Sequence, residues 1–346
     1  MRSRYLAAGL MTLAILLGNC SKPDFSSPVT PDPVGTPKPT PLPTPTPLIS
    51  FPLSTRSGKF VDLNNKPVWL TGLVVCCTES VRYDWSLISD EGLRLTADNG
   101  GNFAHIRTGP DPFGGPKFEA YHRTGSGKYD LTQPSEAYFA WLEQIASTSE
   151  SLGIALETDL IDAWYFRQPN NSSPWLRENN VNGINAGDCS IFRSAPAPIH
   201  RAWVREVVKA VGSHRNVQFQ DGNEVSICRG PASLAWVEGL AKEVRRSEGE
   251  FGYVRHLFGS NASESEIRHS PTVDYITIHQ DYHAAGSTNG RPTLVNEYVE
   301  LTPEEWEREA RLAKKANTGW VYWRGDNSQA ELADTLRRMK LITSGN

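Results

Sequence analysis

Eight short apolar segments recur between residues 68 and 324, most of them separated by an amphipathic stretch, and this alternation constrains the fold more than any other feature. They are Val68–Val75, Asn102–Arg107, Ile154–Leu160, Asn216–Gly222, Tyr253–Gly259, Tyr275–His279, Thr293–Glu297 and Trp320–Arg324. Short buried strands that alternate with helices build a parallel sheet, because each helix carries the chain back to the starting edge. Eight of them can close on themselves, so the expected fold is α/β, a (β/α)8 or TIM barrel. Apolar residues at three and four spacing mark helices over Ser135–Leu152, Ile199–Ser213, Ala232–Glu248, Pro303–Asn317 and Gln329–Met339. The last-but-one opens with Thr302 as a cap, then proline and two acids in the first turn. Ahead of the first strand, Ser57–Val75 reads as a hairpin around an NNK turn, and Lys59–Trp69 is expected to close the barrel bottom. The least regular part is Trp164–Ala197, a long polar loop after the third strand.

Residues 1–20 stand apart: Arg2 and Arg4 precede an apolar run, Leu6–Leu17, too short for an ordinary membrane span. This reads as a secretory signal. Its end, LLGNC, resembles a bacterial lipobox, which implies cleavage before Cys20 and acylation of that cysteine; Asn19 departs from the usual small residue there. A plain signal peptide is the other reading. Residues 21–50 are a proline- and threonine-rich spacer that cannot bury a core and should run extended. Residues 51–346 then form one catalytic-sized domain. The expected setting is outside the cytoplasm, on an outer membrane or cell surface, with the chain a monomer held by its lipid anchor.

A formal charge of −4 offers no basic stripe for nucleic acid, whereas a neutral polymer remains compatible. Ten tryptophans and eleven tyrosines suit stacking on sugar rings, although core packing accounts for most such residues. With Cys20 set aside, four cysteines remain: the adjacent Cys76 and Cys77, and Cys189 and Cys228, which fall in segments expected at one barrel end and are favoured as a disulfide. No cysteine has metal-ligand spacing, and neither metal nor cofactor is expected.

Catalytic groups of a (β/α)8 barrel project from the C-terminal ends of its strands. Those ends carry Arg107, Glu224, His279, Glu297 and Trp323. Two carboxyl groups at one rim are what glycoside hydrolysis with retention requires, about 5 to 5.5 Å apart, one to protonate the leaving oxygen and one to attack the anomeric carbon.

On these motifs the chain resembles glycoside hydrolase clan A, and family 5 (cellulases, mannanases and relatives) more than its siblings. GKFVDLNNKPVWLTG resembles that family's opening strand pair, NGGNFAHIR its second strand, NVQFQDGNE its fourth, DYITIH its sixth, RPTLVNEY its seventh and GWVYWRGD its eighth, over residues 58–323. The resemblance implies a retaining β-glycosidase with Glu224 as general acid/base and Glu297 as nucleophile. It implies that Asn223 bonds the sugar 2-hydroxyl, that Arg107 holds Glu297 ionised, and that His279 and Trp323 line the sugar site. Either Tyr282 or Tyr298 would orient the nucleophile, since HQDYH departs from the family's spacing. ETDLIDAW lacks the family's histidine, and Asp159 and Asp162 either bind sugar hydroxyls or cap the loop. His105, His122 and His283 read as surface or supporting residues. Arg107 and Glu297 would alternatively be an ion pair that only stiffens the barrel. Two other functions stay open: a surface lipoprotein that binds glycans without cleaving them, and an inverting hydrolase built on Asp159 and Asp162.

Overall fold

The computed structural model describes residues 49–75, 90–109, 119–163, 166, 173–228, 231–279, 290–297, 301–322 and 329–345, all within the unit Thr44–Asn346. In chain order its strands are β1 (Ser54–Arg56), β2 (Lys59–Val61), β3 (Pro67–Val68), β4 (Thr71–Val75), β5 (Phe103–Arg107), β6 (Tyr121–Arg123) and β7 (Tyr129–Pro134). They continue with β8 (Ala155–Asp159), β9 (Val217–Gln220), β10 (Phe258–Ser260), β11 (Tyr275–His279), β12 (Thr293–Glu297) and β13 (Gly319–Tyr322). The helices are α1 (Asp90–Asp98), α2 (Glu136–Ser151), α3 (Pro198–Val211), α4 (Leu234–Phe251), α5 (Ser265–His269), α6 (Pro303–Ala316) and α7 (Gln329–Ser344).

Strands β4, β5, β8, β9, β10, β11, β12 and β13 pair in that order, every pair parallel, and β13 returns to β4 to close the ring. The fold is the (β/α)8 barrel that the strand count predicts. Helix boundaries also follow their sequence signals: Thr302 caps α6 by accepting from the Glu305 amide, while the Glu305 carboxylate accepts from the Thr302 amide at 3.0 Å.

Period-two alternation divides the strands into two faces. On the outer face Ala104, Ile106, Leu156, Val295 and Trp320 pack against the helices, among them the buried Trp203, Trp236 and Trp306. Burial of each of Ile106, Leu156 and Val295 contributes about 1.5–3 kcal/mol. At the inner bottom, Phe103, Ala155, Tyr275, Leu294 and Val321 meet Phe60, Val68 and Leu70 from the N-terminal strands. The β1–β3 sheet therefore plugs the barrel beneath the N-terminal strand ends, and the Phe60 and Tyr275 rings meet edge-on at 5.4 Å.

Several boundaries differ from expectation. The fifth barrel strand is Phe258–Ser260, not Tyr253–Gly259. The residues before it are taken by other partners: His256 bonds Glu248 and the His214 carbonyl, and Arg255 pairs with Asp274. The first segment splits into β3 and β4, α7 runs on to Ser344, and α1, α5 and the β6–β7 pair had no sequence signal. The described part of Trp164–Ala197 is ordered around Trp175, fully buried beside Trp203 and His200, and Asn180, whose amide donates to three carbonyls. Cys189 in this segment forms a disulfide with Cys228, as favoured from sequence.

Candidate functional site

Because all eight strands are parallel, their C-terminal ends share one rim, and Arg107, His279 and Glu297 are the last residues of β5, β11 and β12. Asn223 and Glu224 follow β9 on a short extension that still pairs with its neighbour. Asn223 bridges to Asp162, donates its amide to the Ile161 carbonyl at 2.8 Å, and accepts from the Ala163 amide at 3.0 Å. This close approach explains the glycine of DGNE: a Cβ on Gly222 would lie 2.7 Å from the Ile161 carbonyl oxygen.

Glu224 itself is half-buried and has φ of 50°, the left-handed region that a glutamate rarely occupies. Among the described non-glycine residues with positive φ, Asn65 and Asn317 have side chains suited to that conformation. Glu224 does not, and strain of this kind costs on the order of 1–3 kcal/mol and clusters at functional sites. The turn that follows, Val225–Cys228, is pinned by the disulfide to Cys189.

Arg107 and Asp162, both buried, lie 3.6 Å apart (Nη1 to Oδ2), and the Asn223 amide donates to the other Asp162 oxygen at 3.1 Å. Asp162 thus joins the arginine of β5 to the residue before Glu224. It is fully buried. The chains of Glu297 and His279 pair backbone to backbone across β11 and β12, and their side chains lie outside the described residues, as do Cys20, Tyr282, Tyr298 and Trp323 entirely.

Below this rim is a polar layer that sequence reasoning missed. His105, assigned from sequence to the surface or a supporting role, is fully buried inside the barrel. Its Nδ1 lies 2.7 Å from Glu157 and its Nε2 3.0 Å from Asp159. Burial alone lowers an imidazole pKa, but the two carboxylates outweigh it and push His105 up to about 10. Burial raises Asp159, against the pull of His105. His105, Glu157 and Asp159 bring possible ligand atoms within 4.8 Å of one another. With the ring protonated, each nitrogen faces a different carboxylate, and the three groups form a buried ionic cluster spanning β5 and β8. Asp221, also fully buried, has its pKa pushed up to about 7 by burial, against hydrogen bonds from Ser260, Asn261 and Gly222. The available signal was alternation: FAHIR, ALETD, VQFQ and TLVNE each carry polar residues two apart or at a strand end, on the face that points inward.

No protein-family model and no curated protein matches the sequence. Solved structures do match in fold. An endo-1,4-beta-mannanase from Rhizomucor miehei superposes with a TM-score of 0.56 at 12% identity, over 86% of this chain and 100% of that one. A beta-1,4-D-mannanase from Cryptopygus antarcticus gives 0.57 at 9%, over 86% and 96%. A glycoside hydrolase family 5 protein from Bacteroides vulgatus gives 0.54 at 12%, over 84% and 70%. The likeness is one of fold. It places this chain among barrels of that shape and leaves its chemistry to its own residues.

Proposed function

We propose that the protein is a retaining β-glycoside hydrolase acting on an extracellular polysaccharide or glycoconjugate. The observation that carries this reading is that Glu297 ends β12 and Glu224 follows the end of β9, both at the rim formed by the C-terminal strand ends, with Arg107, Asp162 and Asn223 linked beside Glu224. The fold shared with mannanases and other glycoside hydrolases supports it. In the first step the Glu297 carboxylate attacks the anomeric carbon, the glycosidic C–O bond breaks, and Glu224 gives its proton to the leaving oxygen. In the second, Glu224 takes a proton from water, and the water oxygen displaces Glu297. Asn223 would bond the 2-hydroxyl and Arg107 would keep the nucleophile ionised, with His279, Trp323 and one of Tyr282 and Tyr298 completing the sugar site. Acylation at Cys20, followed by the spacer of residues 21–50, would hold the domain at a cell surface outside the cytoplasm as a monomer.

The deciding experiment uses aryl β-glycosides and a panel of soluble polysaccharides headed by β-1,4-mannan. Glu297→Ala should abolish turnover on every substrate. Glu224→Ala should retain turnover of aryl glycosides with good leaving groups, and azide should accelerate it by replacing the activated water. A 2-fluoro glycosyl donor should label Glu297. Label on Glu224, or a product of inverted configuration, overturns the assignment.

A further inference from the structure

The interior of a (β/α)8 barrel is ordinarily filled by branched aliphatic side chains. Here its upper layer is polar and hydrogen-bonded across the lumen. The Asn296 amide nitrogen donates to Glu157 Oε1 at 2.8 Å and to Gln220 Oε1 at 2.9 Å, so both of its hydrogens are used. At its other end, Gln220 donates through Nε2 to the Gly222 carbonyl at 2.9 Å. Asn296, Gln220 and Glu157 are all fully buried.

Asn296 immediately precedes Glu297 on β12, and Gly222 lies two residues before Glu224 beyond β9. These two strands are not neighbours; β10 and β11 stand between them on the shorter way round. The chain of bonds Asn296–Gln220–Gly222 is therefore a direct strut between the two segments that carry the candidate catalytic glutamates. The rest of the layer braces it: Glu157 also accepts from His105 at 2.7 Å and from the Tyr275 hydroxyl at 2.7 Å, which fixes the second acceptor of Asn296 from β5 and β11.

The same residue sits at an irregularity of the sheet. Ile278 pairs with Val295, but the next residue, His279, pairs with Glu297, so Asn296 is the extra residue of a bulge. Strict alternation would turn the residue after an inward-facing Asn296 to the outer face, and a bulge at this point breaks that alternation. The extra residue is anchored there by its bonds to Glu157 and Gln220.

We propose that Asn296 and Gln220 are positioning residues that fix the spacing between Glu224 and Glu297. The inference rests on the hydrolase reading above and adds to it what sets the carboxyl separation on which retention depends. Both residues are fully buried beneath the rim. A misplacement of about 1 Å costs on the order of a hundredfold in rate, so the strut should govern kcat and leave KM nearly unchanged.

The test is a double-mutant cycle with Asn296→Ala and Gln220→Ala, read by kcat, KM and the rate of labelling by a 2-fluoro glycosyl donor. Each single variant should lower kcat on a polysaccharide between about tenfold and a hundredfold. The double variant should lose no more than the worse single one, because both remove the same strut. Labelling of Glu297 should be slow but complete, the signature of folded enzyme with a misplaced nucleophile. The exchange Asn296→Gln with Gln220→Asn, which keeps the total reach, should recover part of the rate. Should either alanine variant fail to fold, Gln220→Met removes both polar ends at nearly constant volume and takes its place. Losses that multiply in the double variant, kcat within twofold of wild type, or incomplete labelling at the wild-type rate would overturn the strut. Wild-type protein without activity on any substrate would instead defeat the hydrolase reading itself.

Discussion

The Asp162 side chain accepts a hydrogen bond from the Asn223 side chain at 3.1 Å, adding to the backbone bridge that ties the segment after β8 to the residue before Glu224. The other Asp162 oxygen faces Arg107 at 3.6 Å, so a single buried carboxylate orients one neutral and one cationic group at the rim. The arrangement connects three of the residues singled out by chemistry through a fourth whose role the sequence left open.

Substitution at Asp162 should therefore separate orientation from charge. Asp162→Asn keeps an acceptor for Asn223 and loses the ion pair; Asp162→Ala loses both. We expect kcat/KM to fall about tenfold for Asn and further for Ala, and both variants to lose stability because each removes the buried carboxylate that faces Arg107. Steady-state kinetics and denaturant unfolding of both variants check this. Equal kinetics in the two variants would mean that Asn223 needs no orientation from Asp162.

The Cys189–Cys228 bridge closes a loop of 39 residues and ends at the turn that begins immediately after Glu224. Chain-entropy reasoning gives about 4 kcal/mol for a loop of this length, equivalent to a lowering of Tm by roughly 5 to 10 °C on reduction. Because the turn carries Glu224 in a strained conformation, kcat should also fall at temperatures well below the transition. Thermal unfolding with and without reductant, beside activity at 25 °C, measures both effects.

Legibility in the sequence followed the kind of signal involved. The eight strands were readable because their outer faces are apolar and their neighbours are capped helices, as at Thr302 and Glu305. The fifth was misplaced because YVRHLFG alternates like a strand, while Arg255 and His256 serve pairings with Asp274 and Glu248 that no local pattern announces. The strand-end rule located Arg107, Glu224 and Glu297 on the rim. The polar layer beneath was hidden because polar residues two apart in a strand ordinarily mean a solvated face. Only closure of the sheet turns that face inward, where His105, Glu157, Gln220 and Asn296 bond one another and the groups around them.

Placement of the protein is testable without activity. Among the described residues no helix is long and apolar enough to cross a membrane. The anchor proposed above is the acylated Cys20. Protein expressed in a bacterial host should partition into detergent, and Cys20→Ala should move it to the aqueous phase. Mass spectrometry finding an unmodified mature N-terminus at another residue would remove the anchor.

Stability should fall as pH rises, and Asp221 should account for the first part of the fall. Folded Asp221 keeps its proton up to about 7, whereas the unfolded chain releases it near 3.8, so between those values the folded state binds more protons. Stability then declines across that window. His105 acts in the next one: its folded pKa of about 10 lies above the ordinary 6.5, so its contribution is complete below 6.5 and is lost as pH rises through 10. Asp221→Asn isolates the first effect, because an amide oxygen can still accept from the Gly222 and Asn261 amides while its nitrogen donates to the Ser260 hydroxyl. At pH 4 the carboxyl in the folded wild type is neutral and the two proteins should unfold at similar temperatures. Above pH 7 the wild type must hold a buried charge and the variant does not, so the variant should become the more stable of the two. Thermal unfolding of both proteins from pH 4 to 10 gives the comparison. Curves that run parallel would show that Asp221 titrates at an ordinary value, and a variant less stable at every pH would show that its oxygens matter only as acceptors.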